Sequence, residues 1–280
     1  MNMKGGIMPQ PRKRVELLSI DNQNDFGDEN RSSLRVPGAQ ANAENLAGLI
    51  GRLGDRLDDI HETMDTHQKV AIFHPIFWVD SHGNPPGPFT QIPTEDVEKG
   101  KWRASYPPYQ SKAKGYTAAL KANGRYDLTI WPYHVLVGSW GWSLIPVIAE
   151  ALSVWEDQNF ARVDFVMKGH NPYTEHYSAV QADVTDPDIV GDDPSVQLNT
   201  GLVQTLERAD IILLAGQALS HCVANTVRDI ANSFGPESVK KLVLLTDASS
   251  PVPGFETLAD AFLTEMQGRG MQTCKCKEFS

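Results

Sequence analysis

Three features of the sequence predict a three-layer α/β/α fold built on a mainly parallel, doubly wound sheet. Apolar runs of strand length alternate with stretches of helical periodicity, the pattern of strands joined by covering helices. The run Ala209-Asp-Ile-Ile-Leu-Leu-Ala-Gly-Gln-Ala218 reads as a buried parallel strand that ends in small residues and opens into a helix. The length of 280 residues exceeds the usual single domain but is ordinary for an α/β unit.

Taken in order, residues 15–20 form the first strand, 42–57 a helix with apolar residues at helical spacing, and 60–64 a second strand. Residues 143–157 read as a helix and 162–167 as a third strand. A helix over 202–208 precedes the strand to Ala218, and a further helix starts at His221 and runs to about Ser233. Residues 242–246 form another strand, 254–267 a helix, and 271–276 a last strand. Between 75 and 130 the periodicity breaks down. Pro75, Pro85, Pro86, Pro88, Pro93, Pro107 and Pro108 interrupt any long element, so an irregular insertion is expected. Residues 1–14 read as a loose polar tail and 15–280 as a single domain carrying that insertion. The acidic stretch 183–193 lacks the spacing of a calcium loop and reads as solvated.

Composition excludes several functions. The chain is 41% hydrophobic and 21% charged with a mean hydropathy of −0.33, an ordinary globular balance. A net charge of −10 argues against nucleic acid or an anionic membrane as partner, since both require a basic face. No apolar run approaches the ~18 residues that span a bilayer. Three cysteines cannot all pair, and Cys274 and Cys276 lie too close together to close a useful loop. A reduced, cytoplasmic protein is expected, with the two terminal thiols incidental at the surface.

In a doubly wound sheet, ligands bind beyond the carboxyl ends of the strands. Reactive side chains stand at three such ends. Asp21 follows the first strand in Leu17-Leu-Ser-Ile-Asp-Asn-Gln-Asn-Asp-Phe26, Lys168 closes Val163-Asp-Phe-Val-Met-Lys-Gly169, and Cys222 follows the strand ending at Ala218. Each alone has an ordinary explanation: a turn-capping aspartate, a strand-end lysine, a small buried apolar residue. Together they supply what acyl transfer needs. A thiol at a helix start meets unpaired N–H groups that favour the thiolate and can hold an oxyanion. A carboxylate can take the thiol proton and pass it to a leaving amine, while an ammonium keeps that carboxylate ionised. No histidine stands in the base position, which sets the arrangement apart from papain-type sites.

These residues carry a resemblance. Ile20-Asp-Asn-Gln-Asn-Asp-Phe26, Lys168-Gly169 and Leu214-Ala-Gly-Gln-Ala-Leu-Ser-His-Cys222 resemble the motifs of isochorismatase-like cysteine hydrolases, the superfamily of nicotinamidases and N-carbamoylsarcosine amidases. The likeness spans most of residues 15–276 outside the insertion. It implies a catalytic triad of Asp21, Lys168 and Cys222, a cis peptide at Gln217–Ala218, and an oxyanion hole from the N–H groups of Ala218 and Cys222. It further implies a homo-oligomer acting on a small-molecule amide.

Within the superfamily, nicotinamidases resemble one another in an Asp-x-His element and a later Trp-Pro-x-His. This chain has Asp65-Thr-His67 and Trp131-Pro-Tyr-His134, which implies a divalent metal, zinc before manganese or iron, on Asp65, His67 and His134. His74 is a further candidate ligand. Phe26 and Trp131 beside the motifs, with Gln217 and His221 flanking the cysteine turn, are the candidate pocket residues. Two departures stand out: Val135 follows His134 where the family usually has a cysteine, and the insertion, with Phe77, Trp78, Phe89, Trp102 and Tyr106, is longer than in compact nicotinamidases. The activity expected is metal-dependent hydrolysis of a carboxamide, nicotinamide first, through a thioester. The alternatives are a metal-free amidase acting on a carbamoyl or ureido compound, and a binding protein without catalysis.

Overall fold

The computed structural model describes residues 12–28 and 30–280. In chain order, the main elements are β1 (Val15–Ile20), α1 (Ala39–Leu53), β2 (Asp59–Asp65), α2 (Gln110–Ala122), α3 (Pro146–Asn159) and β3 (Asp164–Lys168). They continue with α4 (Thr200–Glu207), β4 (Ile211–Gln217), α5 (Ala224–Ser233), β5 (Leu242–Ser250), α6 (Glu256–Gly268) and β6 (Gln272–Cys274). The six strands form one parallel sheet in the order β6-β5-β4-β1-β2-β3. Helices cover both faces, as an all-parallel sheet requires. Leu17, Ile60 and Leu213 pack on one side with Leu46 and Leu49 of α1 and Ile148 and Leu152 of α3. Leu18, Ile20 and Leu214 pack on the other with Val227 and Ile230 of α5 and Phe262 of α6.

Strand order reverses between β1 and β4, so these neighbours leave the sheet on opposite sides and open a crevice beyond their carboxyl ends. Register aligns the ends: Ile20 pairs with Thr63 of β2 and with Gly216 of β4. The backbones approach closely there. A Cβ on Gly216, whose φ is +117°, would lie 1.9 Å from the Ile20 carbonyl oxygen. Only glycine fits.

Several boundaries differ from the periodicity. The first helix starts at Ala39 after Gly38 in left-handed geometry, and it ends at Leu53, where residues 54–56 tighten into a 3₁₀ turn. The helix expected from His221 is reached through a π-helical turn, Leu219–Val223, that contains Cys222. The last strand is shorter, and Cys276 lies beyond it. Cys276 is buried in the core cluster that contains Leu53 and Leu245 rather than at the surface, because the chain end folds back over α1 and β5. The insertion is less irregular than its prolines suggest. It holds α2 and two short antiparallel pairs, Trp78–Val79 with Arg103–Ala104 and Gln91–Ile92 with Leu128–Thr129. Phe77 and Trp78 are core residues, whereas Phe89 and Tyr106 are half-exposed. Residues 1–11 of the expected tail lie outside the described residues, but Arg12 pairs with Asp58 at 2.6 Å. Among the described residues, no helix is long and apolar enough to cross a membrane.

Candidate active site

Asp21, the first residue past β1, takes a positive φ of 48°. Thr63 on the neighbouring strand clasps it: the Asp21 N–H donates to the Thr63 carbonyl at 3.1 Å, and the Thr63 hydroxyl donates to the Asp21 carboxylate. From the other face, Glu62 Oε1 accepts the next N–H, that of Asn22, at 3.2 Å. Two residues on, the Gln23 side chain pairs with both backbone groups of Asp65, accepting from its N–H and donating to its C=O. The apolar strand thus ends in a turn held largely by Glu62, Thr63 and Asp65 of β2.

Lys168 is 1% exposed and reaches from the end of β3 across β2. Its Nζ lies 2.9 Å from Asp21 Oδ2, 3.1 Å from Asp65 Oδ1, 3.0 Å from the His176 carbonyl and 3.6 Å from Cys222 Sγ. Asp21, Lys168 and Cys222, selected from three separate strand ends, therefore lie together in one buried cluster. Burial opposes a charged Lys168, yet the two carboxylates raise its pKa well above the ordinary value. For Asp21, burial raises the carboxyl above its ordinary range, and Lys168 offsets only part of that rise. Asp65 bears the same burial penalty, but His67 and Lys168 hold it below the usual carboxylate range. Burial pushes the Cys222 thiol well above its usual range, with Lys168 opposing. The thiolate-favouring effect expected of a helix start is outweighed, because the sulfur is nearly enclosed. Sulfur chemistry here therefore requires a proton acceptor. A carboxylate oxygen of Asp21, one of Asp65 and the Cys222 sulfur lie within 4.8 Å of one another.

The Gln217–Ala218 peptide leading into the cysteine turn is cis. Cys222, Ala218, Phe26, Leu34, Trp131, Tyr177, Glu175, His221 and Val252 line a cavity of ≈20 Å³ together with Asp65 and His134. Phe26, Trp131 and His221 thus lie where the sequence places them, but Gln217 does not. Strand alternation continues through β4 and turns Gln217 toward α1, where its Oε1 accepts the Ser250 N–H at 3.3 Å. His221 sits among Trp131, Tyr177, Tyr126 and Phe255, with ring centroids 4.8–5.7 Å away. Burial lowers its pKa to about 3, so the ring is neutral.

Asp65, His67 and His134 each offer a ligand atom within 4.8 Å of the others. The insertion closes on itself to bring His134 back, and the His67 N–H donates to the Val135 carbonyl at 3.1 Å. His67 Nδ1 faces the Gly169 carbonyl at 3.2 Å, and His134 Nδ1 faces the Pro132 carbonyl at 2.9 Å. A carbonyl only accepts, so each Nδ1 carries the proton and each Nε2 keeps its lone pair. His67 Nε2 then faces Asp65 Oδ2 at 3.0 Å, acceptor against acceptor. Such a pair needs a cation beside it, a proton or a metal ion. The donor set fits a borderline divalent ion. His74 repeats the pattern: its Nδ1 is held by the Lys69 carbonyl and its buried Nε2 has no partner. Its ring centroid is 5.8 Å from that of His67. Gly169 leaves room for this cluster, since a Cβ there would lie 2.5 Å from Asp65 Oδ1 and 2.9 Å from the His67 ring.

Two pocket residues were not anticipated from sequence. Tyr177 accepts the Trp131 indole N–H at 2.9 Å and fixes that wall. Glu175 is 3% exposed, and burial raises its carboxyl to about 7. Both lie in the loop after Lys168, whose only signal is nearness to a reactive strand end.

No protein-family model matches the sequence, and no curated protein does. Solved structures match it over nearly their whole length. A nicotinamidase/pyrazinamidase from Acinetobacter baumanii aligns with a TM-score of 0.61 at 19% identity, over 96% of this chain and 99% of that one. The yeast nicotinamidase bound to the inhibitor nicotinaldehyde aligns with a TM-score of 0.62 at 17% identity, over 93% and 99%. A Pyrococcus horikoshii pyrazinamidase in complex with zinc aligns with a TM-score of 0.53 at 17% identity, over 95% and 99%. At such identities the likeness is one of fold, and the chain shares the α/β fold of these hydrolases.

Proposed function

We propose that this protein is a cysteine amidohydrolase that cleaves a small carboxamide to acid and ammonia, with nicotinamide as the first substrate to test. The observation that carries the reading is the contact of Lys168 with both Asp21 and Cys222 at the switch point of the sheet. The zinc complex and the nicotinaldehyde complex of proteins with this fold support the same reading.

In the proposed reaction, the Asp21 carboxylate takes the Cys222 proton as the sulfur attacks the amide carbon. The N–H groups of Ala218 and Cys222 hold the oxyanion that forms. Asp21 then returns the proton to the departing nitrogen, ammonia leaves, and a thioester remains on Cys222. A water that loses its proton to Asp21 hydrolyses the thioester and frees the acid. Lys168 keeps Asp21 ionised and adds a positive charge beside the sulfur. Asp65, His67 and His134, with His74 adjacent, would hold a divalent ion, zinc first, which supplies a Lewis acid at the pocket wall. Residues 15–280 act on this reading as one hydrolase domain, supported by a core that runs unbroken from the sheet into the insertion. Three free cysteines are in keeping with a reducing, cytoplasmic setting.

The cavity of ≈20 Å³ holds about one water, so a planar ring enters only if part of the wall moves. The smallest acyclic carbamoyl or ureido amides require the least movement and form the second reading. Ammonia release from nicotinamide and from a panel of acyclic amides, with and without chelator, separates the two. Cys222→Ala is expected to abolish release from every active amide while leaving the fold intact. Activity of that variant within about tenfold of the parent would exclude the thioester route.

A further inference from the structure

Among the carboxylates and hydroxyls that line the cavity, one oxygen is left without a partner. Asp65 pairs with Lys168 and His67. His134 and His221 engage the Pro132 carbonyl and the Ser220 hydroxyl through Nδ1. Tyr177 accepts the Trp131 indole N–H. Glu175 is different. Its Oε1 accepts the His176 N–H at 3.0 Å, and its buried Oε2 has no hydrogen-bond partner among the described residues. A carboxyl oxygen enclosed in this way is costly to leave unpaired, and a donor arriving from outside relieves that cost.

The position of Glu175 is set firmly. Its N–H donates to the Tyr116 hydroxyl at 3.0 Å, and Tyr116 is a fully buried residue of α2. Its carbonyl accepts the Asp183 N–H at 3.0 Å. The insertion therefore holds one unpaired acceptor rigidly in the wall of a pocket that also contains the nucleophile. A preorganised acceptor of this kind discriminates by rejecting ligands that cannot satisfy it.

We infer that Glu175 is a specificity-determining residue, and that its Oε2 accepts a hydrogen bond from a donor on the substrate other than the scissile group. The inference rests on the amidase reading of this pocket and narrows its substrate class to small amides bearing a second N–H or O–H. Amino-substituted pyridine carboxamides, each paired with the methyl isostere at the same ring position, are the direct probes.

Binding is measured by calorimetry in the Cys222→Ala chain, so that no turnover intervenes, and ammonia release is measured in the parent. At least one amino isomer is expected to bind tenfold or more tightly than its methyl isostere. Glu175→Leu should erase that difference while leaving the methyl compound within about threefold. Glu175→Gln, which keeps an acceptor, should retain most of it. Equal binding of amino and methyl forms at every position would overturn the inference. So would an equal loss of both in Glu175→Leu, or a fall in bound zinc in that variant, either of which assigns Glu175 a structural or metal-side role. Selective binding without ammonia release from any amide in the parent would sustain Glu175 as the discriminating group and refute the amidase reading instead.

Discussion

Replacing Lys168 by Met removes an ammonium while keeping most of the side-chain volume. The two carboxylates it bridges stand 2.9 and 3.1 Å away, and all three groups are almost fully buried. At an effective dielectric of about 20, each contact is worth roughly 5–6 kcal/mol of attraction, part of which offsets the burial of the lysine itself. The loss is bounded from above, because a stranded carboxylate can take up a proton. At pH 7, protonating a group whose unfolded pKa is about 3.9 costs roughly 4 kcal/mol. The expected destabilisation is therefore about 3–5 kcal/mol, in the range for breaking one side of a buried pair. The sign of its pH dependence follows. Losing the ammonium raises the Asp21 carboxyl further above its unfolded value than in the parent, so the deficit is smallest in acid and grows as pH rises. Urea unfolding with chelator present should show the gap between parent and variant shrinking by up to about 2.7 kcal/mol between pH 7 and pH 5. Adding Asp21→Asn to Lys168→Met should recover about 2 kcal/mol without restoring ammonia release. A loss below about 1 kcal/mol at pH 7, or one of equal size at pH 5, would refute the reasoning.

Gly169→Ala should cost the metal cluster more than the fold, because the new Cβ would lie against Asp65 Oδ1 and the His67 ring at a φ of +79°; bound zinc by mass spectrometry should fall several-fold, and retention of one zinc per chain would contradict it. Gly216→Ala places a Cβ 1.9 Å from the Ile20 carbonyl and should lower stability by about 3 kcal/mol or more, read as a fall in soluble yield and melting temperature. Glu62 has no exposed surface, and burial raises its carboxyl to about 8. Because it is protonated in the folded state across a window where the unfolded chain has lost the proton, its contribution falls as pH rises from about 4.5 to about 8. Glu62→Gln should remove that slope and gain about 2 kcal/mol relative to the parent on going from pH 5.5 to pH 7.5, and parallel stability curves would count against a buried neutral acid.

β1 and β4 were legible because each is a buried, largely apolar run that stops at a turn, and those turns carry the candidate residues Asp21 and Cys222. What lay hidden depends on contacts that no single run encodes. α2 sits among prolines, and its buried face of Ala113, Tyr116, Thr117 and Leu120 is broken by Gly115, so periodicity was too weak to reveal it. The facing of Gln217 was hidden because β4 extends to that residue, and alternation turns its side chain away from the cavity. The enclosure of Cys222 was hidden for a different reason. A helix start is visible in sequence, whereas the near-total enclosure that outweighs it is a property of the assembled walls.

Strand order explains why the cationic member of the cluster is a lysine. Asp21 and Cys222 follow adjacent strands, β1 and β4, so short side chains suffice for them to meet. Lys168 closes β3, which is separated from β1 by β2, roughly 9–10 Å at the spacing of neighbouring strands. Only a long side chain laid across β2 can deliver a charge to Asp21 from there, and its path runs directly over the end of that strand. That end is occupied by Asp65, whose Oδ1 meets Lys168 Nζ and whose Oδ2 meets His67. One carboxylate therefore serves both clusters: it helps to neutralise the ammonium on one side and faces the imidazoles on the other. The proposed nucleophile and the candidate metal cluster are coupled through Asp65 by sheet topology alone. A cation bound at the histidines must weaken the hold of Asp65 on Lys168 and leave more of that ammonium for Asp21 and Cys222.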